Sequence, residues 1–216
     1  HLVRHPGIDK VAFTGSTAAG RRIAAICGEQ LKRCTLELGG KSAAIVLDDA
    51  DLGQLAEGLK FASFMNNGQA CVAQTRILAS RKNYGAVVDA VAELAASLVV
   101  GNPADPTTEV GPLVAQRQQE RVEKYIALGQ EEGARVVVGG NGMPDGIDKG
   151  WYVRPTVFAD ANNQMRIARE EIFGPVLTVI PFDDVNDAVS IANDSEYGLA
   201  GSVWTADVDT GLDVAR

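Results

Sequence analysis

The segment Val11-Ala12-Phe13-Thr14-Gly15-Ser16-Thr17-Ala18-Ala19-Gly20 joins a short apolar run to a glycine-containing turn, and a helical pattern follows as far as Cys27. We expect a buried strand over 11–14 and a helix after the turn. This order directs backbone N–H groups and the positive end of a helix dipole toward an anion. The glycine spacing is not G-x-G-x-x-G, so a helix cap with glycines for close packing remains an equal alternative.

Strand patterns alternate with helical patterns along nearly the whole sequence, which predicts an α/β fold with a mostly parallel sheet flanked by helices. After the first strand, further strands are expected over 34–38, 43–47, 77–79, 135–138, 156–158, 176–180 and 202–204. The adjacent glycines Gly39 and Gly40 interrupt the pattern. We place a domain boundary just after them, between 1–40 and 41–216.

Composition argues against several classes of function. The net charge is −8 and no long run of Lys and Arg occurs, which argues against nucleic-acid partners. No apolar run approaches the roughly 18 residues of a membrane span. Three cysteines without a C-x-x-C pair and two histidines argue against a zinc site, so no metal is expected. An odd cysteine count in an acidic chain fits a reducing compartment, and we expect a cytoplasmic location.

A polar loop, Asn66-Asn67-Gly68-Gln69-Ala70-Cys71-Val72, carries the candidate nucleophile. A thiol on a loop is accessible to a substrate, but free cysteines are often simply buried, so this loop alone leaves both interpretations open. Glu37 precedes Cys71 by 34 residues and ends an apolar strand pattern. We expect partial burial there, which suits a general base. A solvent-facing carboxylate at a strand end is the alternative.

Several charged residues near these motifs are assigned structural roles. Lys41 follows a glycine pair and is expected to be a solvated loop lysine rather than an anion ligand. Asp48, Asp49 and Asp51 are expected to cap the next helix and occupy its first turn, where they would complement its dipole, rather than to bind a metal.

Two further pairs of side chains are also assigned to structure. Cys27 and Cys34 are expected to be core thiols, from their helical period and strand position. Asn67 and Gln69 are expected to shape the loop around Cys71 rather than to react.

Four motifs taken together resemble the aldehyde dehydrogenase superfamily, and the resemblance covers the whole sequence. The second and third are highly specific as a pair. The four are Phe13-Thr14-Gly15-Ser16-Thr17 with Gly20, Glu37-Leu38-Gly39-Gly40-Lys41, Gly68-Gln69-Ala70-Cys71, and Glu171-Ile172-Phe173-Gly174-Pro175.

The resemblance implies oxidation of an aldehyde to a carboxylic acid with hydride transfer to NAD or NADP. Cys71 would be the nucleophile that carries a thiohemiacetal and then an acyl thioester, and Glu37 would be the general base for hydrolysis. Ser16 would contact the cofactor pyrophosphate, Glu171 the nicotinamide ribose, and Phe173 the nicotinamide ring. The implied cofactor-binding residues are Gly15, Ser16, Gly20, Leu38, Gly39, Glu171 and Phe173.

The resemblance also implies an organisation. Residues 1–40 would be the C-terminal part of a cofactor-binding domain, and 41–216 a catalytic domain truncated at its C-terminal end. The chain begins at His1 without Met and stops at Arg216 inside an apolar pattern, so we expect an internal piece of a longer protein that is inactive by itself. The full-length protein would form a homodimer or homotetramer. The choice between NAD and NADP stays open because its main determinant would lie upstream.

Two alternatives remain at this stage. A CoA-acylating aldehyde dehydrogenase or a cysteine acyltransferase would pass the acyl group to another thiol, although a glutamate at position 37 weighs against both. A non-catalytic domain that binds nucleotide or assembles with partners is the alternative from another class.

Overall fold

A computed structural model describes residues 1–216. The chain divides into two compact units, His1–Gly40 and Lys41–Arg216. The assignment of these units to a cofactor-binding domain and a catalytic domain remains a prediction. None of the helices combines the length and the hydropathy that crossing a membrane requires.

The smaller unit is a strand–helix–strand element. Strands β1 (Lys10–Thr14) and β2 (Arg33–Glu37) pair in parallel, and α1 (Thr17–Glu29) connects them. The Ser16 hydroxyl accepts a hydrogen bond from the Ala19 N–H at 3.3 Å and so caps α1. The predicted order of strand, turn and helix is confirmed.

The larger unit is built on one six-stranded sheet. Its strands are β3 (Ser42–Val46), β4 (Gln74–Ser80), β5 (Arg135–Val138), β6 (Thr156–Ala159), β7 (Val176–Phe182) and β8 (Gly201–Trp204). They lie in the order β5–β6–β7–β4–β3–β8. Only β5 runs antiparallel to its neighbour. The predicted α/β fold with a mostly parallel sheet is therefore confirmed.

Helices cover both faces of this sheet. They are α2 (Leu52–Phe64), α3 (Tyr84–Ser97), α4 (Gln116–Glu131), α5 (Arg166–Arg169), α6 (Val185–Asn193) and α7 (Val208–Ala215). Ala44 and Val46 of β3 pack in one core with α2 and α3, whereas Ile45 packs in the other with α4, α5 and α6. The alternation follows from the two-residue period of a strand, and the apolar run is what a strand covered on both faces requires.

The acidic residues before α2 have different roles from those predicted. Asp51 caps α2 by accepting hydrogen bonds from two N–H groups of its first turn at 2.9 and 3.0 Å, as expected. Asp48 and Asp49 are not first-turn acids, and this prediction is wrong. Asp48 accepts from the Ser80 hydroxyl, and Asp49 accepts from the Thr205 hydroxyl at 2.8 Å. Both acids follow β3, where the ends of β4 and β8 supply these donors.

Burial in the smaller unit also corrects two expectations. Cys27 is buried, as predicted, but Cys34 is exposed. The Glu37 side chain is exposed as well, so the partial burial expected for it is absent. Both residues lie on β2, which pairs only with β1 and has four exposed residues of five. The apolar pattern correctly predicted a strand but not which of its faces would be covered.

Candidate active site

The loop that carries Cys71 begins with three consecutive residues in the left-handed region. A 3-10 turn over Met65–Gly68 follows α2, and Asn66, Asn67 and Gly68 have φ angles of 53°, 60° and 69°. Asn is enriched among the residues that adopt this conformation, and Gly adopts it without penalty. The sequence Asn-Asn-Gly therefore favours the reversal that leads to Cys71, which lies half-buried on the following segment.

Two amide side chains fix this loop against the segment before α4. Asn67 donates from Nδ2 to the Pro112 carbonyl at 3.0 Å and accepts the Gly111 N–H on Oδ1 at 2.9 Å. Gln69 accepts the Val114 N–H on Oε1 at 3.0 Å. The prediction that Asn67 and Gln69 shape the loop is confirmed by these contacts.

Gly68 brings the loop against the segment that carries Glu171 and Phe173. A Cβ on Gly68 would lie 2.3 Å from the Gly174 carbonyl oxygen, a separation that real Cβ atoms essentially never show. A Cβ on Gly174 would in turn lie 2.4 Å from Cγ2 of Val122 on α4. The absence of side chains at two glycines thus allows the Cys71 loop, this segment and α4 to stack in close contact.

Two residues of α4 hold the backbone of the same segment. Gln118 Nε2 donates to the carbonyls of Ile172 and Phe173 at 3.1 and 2.7 Å. Arg121 donates from Nε to the Ile172 carbonyl at 3.2 Å and from Nη2 to the Glu171 carbonyl. Phe173 has φ of 65°, which is costly for a residue with a side chain. Hydrogen bonds to three successive carbonyls offset that cost and fix the positions of Glu171 and Phe173.

Glu170 anchors the start of this segment. The Tyr125 hydroxyl donates to its carboxylate, and Arg166 Nε donates to it at 2.6 Å. The hydrogen bond from Arg166 holds the pKa of Glu170 below its usual range. Burial, together with the hydrogen bond to Glu170, raises the pKa of Tyr125 to about 12, so its hydroxyl remains a donor at neutral pH.

Lys41 is buried, with 2% of its surface exposed, so the prediction of a solvated loop lysine is wrong. The residue directly precedes β3, all of whose residues are buried. Burial, with repulsion from Arg76, lowers the pKa of the Lys41 ammonium to about 7, although Glu171 and Glu170 act in the opposite direction.

Arg76 is a buried guanidinium with four hydrogen bonds. It donates to the carbonyls of Lys41, Ile191 and Ala192 at 2.9 Å each, and to Asn163 Oδ1 at 3.0 Å. Ile191 and Ala192 belong to the last turn of α6, where carbonyl groups lack helical partners and a cation is favourable. Arg76 therefore ties the start of β3 to the end of α6.

The predicted site residues of the smaller unit gather where β1 and β2 end. The Gly15 N–H donates to the Glu37 carbonyl at 3.0 Å. A Cβ on Gly20 would lie 2.5 Å from Cδ2 of Leu38, so α1 approaches the residue after β2 closely. Gly39 follows directly and is half-buried. The cap of α1 by Ser16 lies at the same turn.

The predicted residues therefore fall into two sets. Cys71, Glu171 and Phe173 lie in the larger unit on adjoining segments, whereas Glu37 and the remaining cofactor residues, Gly15, Ser16, Gly20, Leu38 and Gly39, lie in the smaller unit. No group of three or more His, Cys, Asp or Glu side chains is placed to hold a metal ion.

Sequence analysis missed Gln118, Arg121 and Arg76. Gln118 and Arg121 are three residues apart on α4 and look like any solvated helix face, so the sequence carried no usable signal for them. For Arg76 the sequence does carry a signal. This residue directly precedes the apolar run Ile77-Leu78-Ala79, and a charged residue in an internal strand needs buried hydrogen-bond partners.

The sequence model of the aldehyde dehydrogenase family matches residues 1–216. The chain belongs to the aldehyde dehydrogenase family. It is 56% identical to geranial dehydrogenase of Castellaniella defragrans over 216 residues, which is 100% of this chain and 45% of that protein. A betaine aldehyde dehydrogenase of Sinorhizobium fredii is 45% identical over 208 residues, covering 96% of this chain and 42% of that protein. The aldehyde dehydrogenase chain thus spans less than half the length of these curated relatives.

Solved aldehyde dehydrogenases have the same fold. The Mycobacterium tuberculosis enzyme complexed with NAD+ matches with a TM-score of 0.96 and 55% identity, over 99% of this chain and 44% of that one. A cysteine-to-alanine variant of aldehyde dehydrogenase C from Pseudomonas syringae, in complex with NAD+ and octanal, matches with a TM-score of 0.96 and 42% identity over the same shares.

Proposed function

We propose that the full-length protein oxidises an aldehyde to a carboxylic acid, with NAD or NADP as hydride acceptor and Cys71 as nucleophile. The observation that carries the proposal is the contact between Gly68 and Gly174, which packs the Cys71 loop against the segment of Glu171 and Phe173. The candidate nucleophile and two candidate cofactor contacts thus lie on adjoining segments that are packed in close contact. Family membership supports the same reaction.

Each unit has features that suit one part of a dinucleotide. Gly20 leaves room for α1 to approach Leu38, and the Ser16 cap places the N terminus of a 13-residue helix directly after β1. Such a terminus favours a phosphate group. In the larger unit, Glu171 would hold the nicotinamide ribose and Phe173 would pack beside the ring. Both of the solved structures described above contain NAD+, so NAD+ is the first cofactor to assay.

The chemistry assigned to Cys71 begins with addition of its sulfur to the aldehyde carbon, which forms a thiohemiacetal. None of the backbone hydrogen bonds outside helices and strands uses the Cys71 N–H as donor, so this group is available to the developing oxyanion. One such donor contributes about 10²–10³ in rate. The bound nicotinamide ring supplies a hydride acceptor. Loss of hydride from carbon and of the proton from the hydroxyl oxygen would convert the thiohemiacetal into an acyl thioester on Cys71.

Glu37 is the proposed general base for the second half of the reaction. It would take a proton from a water molecule that attacks the thioester carbon, which releases the acid and restores the Cys71 thiol. The exposed Glu37 side chain needs only to reach that water, not the sulfur itself. Hydrolysis rather than transfer to another thiol is therefore the proposed fate of the acyl group.

The test uses the full-length protein and an aldehyde panel with NAD+ and NADP+, with cofactor reduction measured by absorbance. The first aldehydes in the panel are geranial, after which one relative is named, and octanal, which is bound in one of the similar structures. Cys71→Ala should abolish turnover, and Glu37→Gln should accumulate a thioester seen as added mass on Cys71. Wild-type turnover in Cys71→Ala would overturn the proposal, and a requirement for coenzyme A would favour the acylating alternative.

A cytoplasmic location and assembly into a homodimer or homotetramer belong to the same proposal. The first is supported by three free cysteines and the second by the family resemblance. Size-exclusion chromatography with light scattering measures the assembly directly.

A further inference from the structure

A cavity of about 610 Å³ lies on the larger unit beside β3, β8 and α7. Its walls are mixed: Ile45, Val203 and Leu212 are apolar, whereas Ser42, Arg76 and Asn193 are polar or charged. Lys41 also lines it, whereas neither Cys71 nor Glu171 does. A small molecule in this cavity would contact neither Cys71 nor Glu171.

The Lys41 amine is unlike that of a solvated lysine. The residue is 2% exposed, and its own carbonyl is fixed by the buried Arg76. The charged groups that act on its ammonium are Arg76 and Arg121, which disfavour protonation, and Glu170 and Glu171, which favour it. Desolvation and the two arginines together outweigh the two glutamates, and the pKa of Lys41 falls to about 7.

We propose that Lys41 is a covalent modification site, at which an aldehyde that enters this cavity condenses with the ε-amino group to form an imine. The nitrogen lone pair attacks the carbonyl carbon, and a proton moves from nitrogen to oxygen to give a carbinolamine. The hydroxyl group then leaves with a proton as water, and a C=N bond forms. The step consumes no oxidant and no reductant.

Burial beside another cation is the arrangement that activates a lysine for this chemistry. The lowered pKa leaves a much larger share of Lys41 side chains with the neutral, nucleophilic amine at pH 7 than a free lysine has. A free lysine, with a pKa near 10.4, is neutral in only about one molecule in 10³. The apolar side chains in the lining, such as Val203 and Leu212, would pack against the carbon chain of an aliphatic aldehyde. The proposal does not depend on oxidation at Cys71, because Cys71 does not line this cavity.

The test treats the full-length protein, without cofactor, with propanal and sodium cyanoborohydride at pH 7, and then maps lysine peptides by mass spectrometry. Cyanoborohydride donates hydride to the imine and leaves a stable propyl-lysine. The exposed Lys82 and Lys149 in the same sample provide an internal reference. We expect propylation at Lys41 to be at least about tenfold faster than at either of them, with half-maximal rate near pH 7.

Two further arms complete the test. Lys41→Arg keeps a cation but cannot form the imine, so the labelled peptide should disappear while Lys82 and Lys149 label as before. Protein unfolded in urea should label the three lysines at similar rates. If native Lys41 labels no faster than Lys149, or its labelling rate shows no midpoint near pH 7, the proposal is wrong.

Discussion

Gly68 and Gly174 meet backbone to backbone, with no space for a methyl group between the Cys71 loop and the segment that holds Glu171. A Cβ on Gly68 would lie 2.3 Å from the Gly174 carbonyl oxygen and 2.5 Å from its carbonyl carbon. Backbone atoms cannot move away from such a clash as easily as the end of a flexible side chain can. The distance between the proposed nucleophile and the proposed cofactor contacts is therefore set by an interaction in which neither residue uses a side chain.

Gly68→Ala should destabilise the protein and impair oxidation. The backbone at position 68 has a left-handed φ of 69°, which costs alanine about 1–2 kcal/mol. The clash of the new Cβ with the Gly174 backbone costs about 1–3 kcal/mol more. Thermal unfolding and steady-state turnover of the full-length enzyme measure the two effects. Gly85→Ala on α3 is the matched control, because nothing lies within 4 Å of its Cβ and Ala favours a helix. Equal unfolding temperatures for the two variants would contradict the packing described here.

Asn67→Asp should destabilise the Cys71 loop, because it replaces the Nδ2 donor of Asn67 with an oxygen acceptor. The amide donates to the Pro112 carbonyl at 3.0 Å, and a carboxylate would place an acceptor against that carbonyl instead. The Gly111 N–H would still have its acceptor. We expect a loss of about 1–3 kcal/mol in unfolding free energy, and a lower kcat, measured by denaturation and turnover.

Asn141→Asp provides the control for that substitution. Asn141 also precedes a glycine, but it is exposed in the loop after β5. The same chemical change there should leave stability and kcat at the wild-type values. Equal effects at positions 67 and 141 would show that the loss arises from charge rather than from the hydrogen bond to Pro112.

The sequence predicted the fold well because the fold depends on local patterns. Alternating apolar strands and helical periods located every strand and helix that carries a motif, and Asp51 was a recognisable cap. Lys41 was misassigned because a glycine pair marks a turn but does not say whether the next residue enters an internal strand. Cys34 was misassigned because a strand pattern does not reveal which of its faces will be covered.

The sequence indicated the candidate reacting residue, because Cys71 lies within a local motif. It did not indicate the side chains that position the site through contacts between distant segments. Cys71 stood out as a thiol on a polar loop. The hydrogen bonds of Gln118 span 54 and 55 residues, and nothing near Gln118 in the sequence indicates them. The pairing of Gly68 with Gly174 is likewise visible only after β4 and β7 are neighbours in the sheet.

Gln118→Glu should weaken cofactor binding more than it slows the chemical step. The amide donates to the carbonyls of Ile172 and Phe173, and a carboxylate would repel both. Release of this backbone would displace Glu171 and Phe173, so we expect a rise of about tenfold in the Kd for NAD+, measured by fluorescence titration. Gln130→Glu is exposed on the same helix and should bind as the wild type does. An unchanged Kd in Gln118→Glu would remove the link between α4 and the cofactor.

Arg76→Met should destabilise the protein strongly without direct contact with the proposed chemistry. The substitution leaves three carbonyls and Asn163 Oδ1 without their donor in a buried position. Each buried acceptor left without its donor costs about 1–3 kcal/mol. Arg81→Met removes an exposed ion pair with Asp183 and should not change the unfolding temperature measurably. A similar unfolding temperature for both variants would argue against Arg76 as the link between β3 and α6.

Lys41 gives the protein a pH dependence of stability that one substitution should remove. The amine has a pKa of about 7 in the folded chain and 10.5 when free, so the unfolded state binds more protons between these values. Stability therefore rises with pH across this window, and the cost of the buried charge is fully present below pH 7. Lys41→Met should stabilise the protein most at pH 6, and this advantage should shrink by about 1 kcal/mol per pH unit above pH 7. Denaturation of both proteins from pH 6 to about pH 9, with the exposed Lys149→Met as a pH-independent control, measures the difference. A constant difference across that range would show that Lys41 remains charged in the folded protein.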